Sequence, residues 1–429
     1  MPLARQLNLF DAIMIVMGGI IGSGIFMNPY VVAQRVHTPA LILGVWILGG
    51  AVAMAGAFVY AELAARSSEV GGQYAYLRDA WHPLAAFLYG WCLLLVIQTG
   101  GMAAVAVTFA HYLIELTGTS LPASLIAALA LAGLAVINIA GVRSGSTTQN
   151  ILMILKILAI GVLVVSGFVV VPGHPAASAA EPAAFTSIAS AMTPVLFAYG
   201  GWQTASFLSG EMRDPKRDLT RGVILGVAGV ITLYVLVNWV CVRALGPAGL
   251  AATPTPASAV MQAAFGNAGS RLIAAGIAVS TLGFLSQGML TAPRIYYAMA
   301  KDGVFFEAIG KLHPKTQAPA AAIALQAVLA ILIAFSGRYE QILNYVVSVD
   351  FIFFGLTGAA IFVYRKRSPA SVGFATPGHP FTTIFFVAAC WITVITTIAR
   401  FPATSSIGLA ILAAGVPVWF LWTLRQKPR

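Results

Sequence analysis

Charged side chains are scarce in this chain. They make up 9% of 429 residues, where a soluble domain carries about 25%, and the mean hydropathy of +0.89 excludes an ordinary water-soluble fold. Cysteine is scarcer still. Cys92, Cys241 and Cys390 are the three, all in apolar segments, and an odd number of lipid-buried thiols argues against a disulfide framework or a zinc site. The six histidines have no metal-ligand spacing, and no two share a face of one apolar segment. The His, Asp and Glu clusters that a membrane-embedded enzyme needs are therefore missing. The phosphate cradle G-x-x-x-x-G-K-[ST] is also missing, which argues against ATP-driven transport by this chain. The net charge of +11 lies in short loops rather than on one patch and does not signal nucleic acid. These gaps leave a protein of the lipid bilayer, with no cofactor, metal or catalytic residues expected.

What the chain has in quantity is apolar sequence: 59% of its residues, enough for about twelve spans of about 20 residues. Candidate spans are 9–36, 41–65, 83–114, 122–141, 149–171, 187–208, 220–244, 270–300, 319–336, 340–364, 382–399 and 405–424. Pro/Gly-rich or charged stretches separate them. Two of these, 172–186 and 245–268 with Pro247, Pro254 and Pro256, read as outer loops. Arg5 followed by an apolar run mimics a signal peptide, but no small-residue cleavage site precedes Phe26-Met27-Asn28-Pro29, so the run reads as a retained first span. With the N-terminus inside, eighteen of the 24 Lys and Arg residues fall in inner segments, five in outer ones, and Lys156 within a span. That asymmetry predicts both termini in the cytoplasm.

Gly18-Gly19-Ile20-Ile21-Gly22-Ser23-Gly24-Ile25-Phe26 interrupts the first span. Glycine weakens a helix by about 1 kcal/mol against alanine, and a broken membrane helix is tolerated only where its freed backbone groups lie inside protein or line a cavity. The competing reading is close helix packing, since Gly18 and Gly22 form a G-x-x-x-G pair. A second interruption, Phe197-Ala198-Tyr199-Gly200-Gly201-Trp202, places Gly200 178 residues after Gly22. Two interrupted segments at corresponding places in two halves point to a transporter site. Spans one to five (1–171) and six to ten (186–367) then form two five-helix halves, and 380–425 holds two further helices. An odd number of spans per half implies inverted topology.

Several motifs occur in family order along nearly the whole chain: Gly22-Ser23-Gly24-Ile25-Phe26, Gly71-Gly72-Gln73-Tyr74, Lys156, Phe197 to Trp202, Tyr296 to Gly303, and His313-Pro314. In these the sequence resembles the amino acid–polyamine–organocation superfamily and, within it, bacterial L-type amino-acid transporters. The resemblance implies an all-α integral membrane protein with twelve transmembrane helices. It also implies a five-plus-five inverted repeat with helices 1 and 6 broken at midplane, and two C-terminal helices. The function implied is sodium-independent secondary transport of L-amino acids, by exchange or with protons, through alternating access. The alternative is a membrane-embedded enzyme or a channel. A plasma (inner) membrane monomer is expected, with free amino acids as its partners. No cysteine lies in an outer loop, so no disulfide-linked subunit is expected.

The site implied by the resemblance comprises Ile20, Ile21, Gly22, Ser23, Gly24, Phe197, Ala198, Gly200 and Asp350. Backbone N–H groups of Gly22, Ser23 and Gly24 would meet the substrate carboxylate at a helix N-terminus. Carbonyls of Ile20, Phe197, Ala198 and Gly200 would meet its ammonium. Phe197 matches an aromatic gate, against the reading of a core aromatic. Gly200 stands where some carriers of cationic amino acids have aspartate, which favours neutral substrates.

Lys156 lies about seven residues into its expected span, about 10 Å deep, where an ammonium costs roughly 2.5–3.5 kcal/mol. It either snorkels to the inner surface or bridges span five to the unwound part of span one, replacing the sodium of sodium-coupled relatives. Asp350 lines the pocket, pairs with Lys156 or joins a polar network. Glu62 and Asp11 read as interfacial partners of loop arginines. Gln98, Asn138, Asn238, Gln287 and Asn344 read as interhelical hydrogen-bonding groups.

Overall fold

The computed structural model describes residues 3–67, 69–170, 185–336, 339–369 and 373–425, without the side chains of 185–186, 339–348 and 425. Its helices are α1 (Leu9–Ile20), α2 (Gly24–Ala33), α3 (Pro39–Arg66), α4 (Gln73–Ala80), α5 (Pro83–Cys92), α6 (Gln98–Thr117), α7 (Ala123–Ile139) and α8 (Val142–Val169). They continue with α9 (Phe185–Tyr199), α10 (Pro215–Ala252), α11 (Pro256–Thr291), α12 (Pro293–Lys301), α13 (Ala320–Ser336), α14 (Tyr339–Arg367), α15 (Phe381–Arg400) and α16 (Pro402–Arg425). A π-helical turn, Leu93–Ile97, joins α5 to α6, and a 3₁₀ segment, Trp202–Glu211, follows α9. No strand occurs among the described residues beyond a bridge between Leu7 and Met212.

Seven helical stretches are long and apolar enough to cross a membrane, and α1 with α2 makes an eighth as a span bent by 44°. α7 and α13 are shorter apolar helices. The protein is thus multi-pass and all-helical. Its outer surface carries the apolar side chains expected against lipid tails, including Leu129, Val136, Ile151, Leu158, Val165 and Ile395. Small residues let the inner helices approach closely. A Cβ at Gly222 of α10 would stand 2.6 Å from Ala12 Cβ, and one at Gly226 would stand 2.6 Å from Val16 Cγ1, both on α1.

Two expectations are corrected here. The 245–268 stretch is mostly helix rather than an outer loop: α10 runs to Ala252 through a kink at Gly246 (φ 67°), and α11 begins at Pro256 and kinks at Gly266 (φ 60°). Pro247 and Pro256 stand at starts of helical turns, where a missing N–H breaks no bond. α8 begins at Val142, not near 149, because Ser144, Ser146, Thr147 and Gln149 belong to the helix. Lys156 is therefore about 21 Å along α8, close to its middle. The expected outer loop at 172–186 lies mostly outside the described residues, and the Asn344 side chain lies wholly outside them.

The segment carrying Glu62 is pinned at one end of the bundle. Glu62 accepts from Arg66 Nε at 2.8 Å, from Arg365 at 2.9 and 2.7 Å, and from the Thr376 N–H at 2.7 Å. Asp11 closes a capping box with Asn8 and accepts from Asn150 Nδ2 at 2.7 Å, with Arg143 at 3.6 Å. A buried pair, Arg294 and Glu211, is bidentate at 2.8 and 2.9 Å. Glu211 also accepts, at its carbonyl, from Gln6 and Leu7 N–H, so one residue holds the N-terminal segment and α12 together.

Candidate functional site

The two glycine-rich interruptions meet in the middle of the bundle. α1 ends at Ile20 and α2 starts at Gly24. α9 ends at Tyr199, and Gly201 takes φ 114°, a left-handed conformation that favours glycine. A Cβ at Gly201 would overlap the Gly19 carbonyl, and one at Gly19 would stand 2.8 Å from Gly201 O. These two glycines are needed because the breaks touch backbone to backbone. Gly18 leaves room for the Gln149 side chain, which is the packing role its G-x-x-x-G spacing suggested. Gly22 and Gly24 differ: neither has a positive φ, and a Cβ at Gly22 would meet only Phe284 Cδ2, at 3.6 Å.

Beside this crossing lies a cavity of about 170 Å³, roughly ten times the space one water needs on the same measure. Gly22, Ser23 and Gly24 line it together with Ile20, Phe197, Ala198 and Gly200. The structure thus gathers the predicted residues of both breaks on one cavity, and adds Asp350 from α14. Ile21 is not among the lining residues. α2 presents its N-terminus here, where the first N–H groups of a helix lack intrahelical partners, and Ser23 makes no side-chain cap. Phe197 is 44% exposed on the cavity wall, not a core aromatic. Tyr199 and Trp202 are buried: Tyr199 packs on Trp46 and Tyr234, and Trp202 stacks on Phe354 at 5.2 Å.

The break carbonyls have partners already. Tyr234 OH of α10 lies 3.1 Å from both Ile20 O and Ala198 O, so one hydroxyl spans the two breaks. Lys156 is fully buried and donates to Ile21 O, which replaces the snorkelling reading with a bridge from α8 to the α1–α2 break. Ser280 of α11 donates to Gly22 O at 3.2 Å, and Gly200 N–H donates to Phe197 O at 3.2 Å. A carbonyl has two lone pairs, so each retains one acceptor position. No ion pair joins Lys156 and Asp350 among the described residues.

Tyr234 escaped the sequence reading, as did Thr204 and the π-helical turn before Gln98. Gln287 Nε2 donates to Thr204 Oγ1 at 2.5 Å, tying α11 to the second break. Ser23, Gln98, Gln203, Thr204 and Gln287 are the uncharged polar side chains on an otherwise largely apolar wall. Gln287 crosses between elements as expected. Asn138 and Asn238 instead donate within their own helices, to Leu134 O and Tyr234 O at 2.8 Å. The π-helical turn places Ile97 and Gln98 on the cavity, and such turns occur often at functional sites.

A family profile described as amino acid permease matches residues 7–422. The chain belongs to the amino acid permease family. This permease is a membrane transporter, which removes the enzyme alternative. It is 30% identical over 429 residues to the serine/threonine exchanger SteT of Bacillus subtilis, covering 97% of each chain. It is also 30% identical to the human large neutral amino acids transporter small subunit 2, over all of this permease and 82% of that protein. Identity to the human cystine/glutamate transporter is 26%, over all of this permease and 87% of that chain.

Proposed function

We propose that this permease carries neutral L-amino acids across the membrane by sodium-independent alternating access, and that the cavity at the two breaks is its substrate site. One observation carries the reading: a helix N-terminus and two helix C-termini converge on one small cavity. A zwitterion needs donors for its carboxylate and acceptors for its ammonium, and the end groups of broken helices supply both. Gly22, Ser23 and Gly24 N–H groups receive the carboxylate. The remaining lone pairs of the Ile20, Phe197, Ala198 and Gly200 carbonyls receive the ammonium. Ile21 takes part through Lys156, whose fixed ammonium occupies the break where a sodium-coupled carrier would hold an ion. Phe197 closes over the substrate as the outer gate.

In this reading the chain has twelve spans. Residues 1–171 and 186–367 are inverted halves, 380–425 adds helices 11 and 12, and both termini face the cytoplasm of the inner membrane. The named substrates of the relatives, serine and threonine or large neutral amino acids, fit a site that reads the amino-acid backbone and leaves choice to the pocket wall. Uptake of radiolabelled amino acids into proteoliposomes, with and without sodium and internal substrate, tests this. Trans-stimulated uptake of neutral amino acids independent of sodium is the expected result. Strict sodium dependence, or no transported amino acid in the panel, overturns it.

A further inference from the structure

Among the described residues, Asp350 is the one ionisable side chain lining the cavity, and no cation pairs with it. Its Oδ1 is buried without a hydrogen-bond partner among the described residues. Ionisable groups near it include Tyr60 of α3, Tyr89 of α5 and Cys390 of α15, none of them a cation. The hydroxyl of Tyr89 is likewise buried and unpartnered, while Tyr60 OH and Thr357 Oγ1 of α14 face one another. α4 contributes Tyr76, packed against Tyr60, and α6 contributes Gln98 on the shared wall. α13 has no ionisable side chain, and α16 has only its terminal Arg425. Lys156 does not line the cavity and donates to Ile21 O. A carboxylate in an apolar wall without a cation is strongly disfavoured. A neutral amino acid, whose two charges are matched by the helix ends, brings no net charge to offset it.

We propose that Asp350 is a proton-binding site of the transport cycle, so that one proton crosses with each neutral amino acid. The proposal rests on the cavity being the substrate site. A proton from the water on the side to which the cavity opens forms the carboxyl O–H bond. The zwitterion binds beside the neutral acid. When the cavity opens to the other side, the substrate leaves, the O–H bond breaks and the proton passes to water there. One positive charge crosses per cycle, and nothing is oxidised or reduced.

The test uses the full-length protein in liposomes loaded with a pH-sensitive dye, with L-serine and L-leucine as probes. External substrate should acidify the lumen of wild-type vesicles. A gradient of one pH unit, acid outside, should drive accumulation to about tenfold, the limit for one coupled proton. Asp350→Asn keeps the shape but carries no exchangeable acid. It should abolish both acidification and gradient-driven accumulation, and leave whatever counterflow remains flat with pH. Asp350→Glu, the control for folding, should restore acidification with a displaced pH profile.

Acidification that persists in Asp350→Asn overturns the proposal, because the proton then rides elsewhere. A wild type insensitive to the pH gradient also overturns it. In that case a uniform rise in KM for every substrate in Asp350→Asn would make the carboxylate an ammonium contact. A selective loss of L-lysine transport would make it a partner for cationic side chains. Failure of the underlying reading looks different: no amino acid then enters wild-type vesicles even by counterflow.

Discussion

Replacing Gly19 or Gly22 with alanine adds one methyl group to each side of the same break, with opposite expected consequences. At Gly19 the new Cβ would stand 2.8 Å from Gly201 O and 2.9 Å from Thr204 Oγ1. The first is backbone and cannot swing aside. Overpacking of this kind costs about 1–3 kcal/mol, offset by roughly 1 kcal/mol of helix propensity at this position in α1. A net loss of up to about 2 kcal/mol follows, together with separation of the two breaks. At Gly22 the methyl meets only Phe284 Cδ2 at 3.6 Å, and the backbone is not left-handed. Stability should change by no more than about 0.5 kcal/mol.

Gly22 lines the cavity, so under the proposed function its added methyl intrudes on a carboxylate bound at the α2 N-terminus. Loss of one charge-assisted hydrogen bond costs about 1.5–3 kcal/mol, which raises KM roughly ten- to hundredfold. Thermal unfolding in detergent, followed by size-exclusion fluorescence, reads the first effect, and amino-acid exchange in proteoliposomes reads the second. Gly22→Ala with wild-type KM would refute the carboxylate cradle. Gly19→Ala with wild-type stability would refute the backbone contact between the breaks.

Tyr234→Phe removes the hydroxyl shared by Ile20 O and Ala198 O while preserving the ring packing; it should destabilise by about 1–3 kcal/mol and lower exchange, and unchanged values of both would show that the bridge is idle. Glu211→Gln breaks the buried pair with Arg294 and should cost about 3–5 kcal/mol, seen as a lower unfolding temperature and a lower yield of folded protein. Lys156→Met fills the same volume without charge, so the protein should remain folded while exchange falls at least about tenfold, equivalent to 1.4 kcal/mol; wild-type exchange would make the lysine dispensable to transport.

The sequence made the interruptions legible because glycine clusters are conspicuous in apolar runs, and the limits of most helices because loops there carry charge or proline. Asp11 and Glu62 could be placed near loop arginines for the same reason. The misreadings have local causes. Polar residues at 144–150 imitate a loop, yet they belong to α8: Ser144 and Thr147 are exposed, while Ser146 and Gln149 are buried, Gln149 fills the space left by Gly18, and Asn150 donates to Asp11. Prolines at 247 and 256 imitate a loop because their positions at helix starts are visible only once the kinks are known. Tyr234 could not be found at all. A tyrosine in an apolar helix has no pattern of its own, and its partners lie 214 and 36 residues away in sequence. The Gln287–Thr204 bond hides in the same way, 83 residues apart. Such contacts follow from how distant helices cross, which periodicity within one segment does not encode.

The central claim is that the paired breaks read both charged ends of an amino acid. Competition against radiolabelled L-serine or L-leucine exchange tests it most directly, with analogues of unchanged side chain that lack one charge: the methyl ester, which lacks the carboxylate, and the des-amino acid, which lacks the ammonium. Each missing charge-assisted contact is worth about 1.5–3 kcal/mol, so both analogues should compete at least about tenfold more weakly than the parent. Equal competition by either analogue would contradict the account, since the corresponding end of the broken helices would then not be touching the substrate.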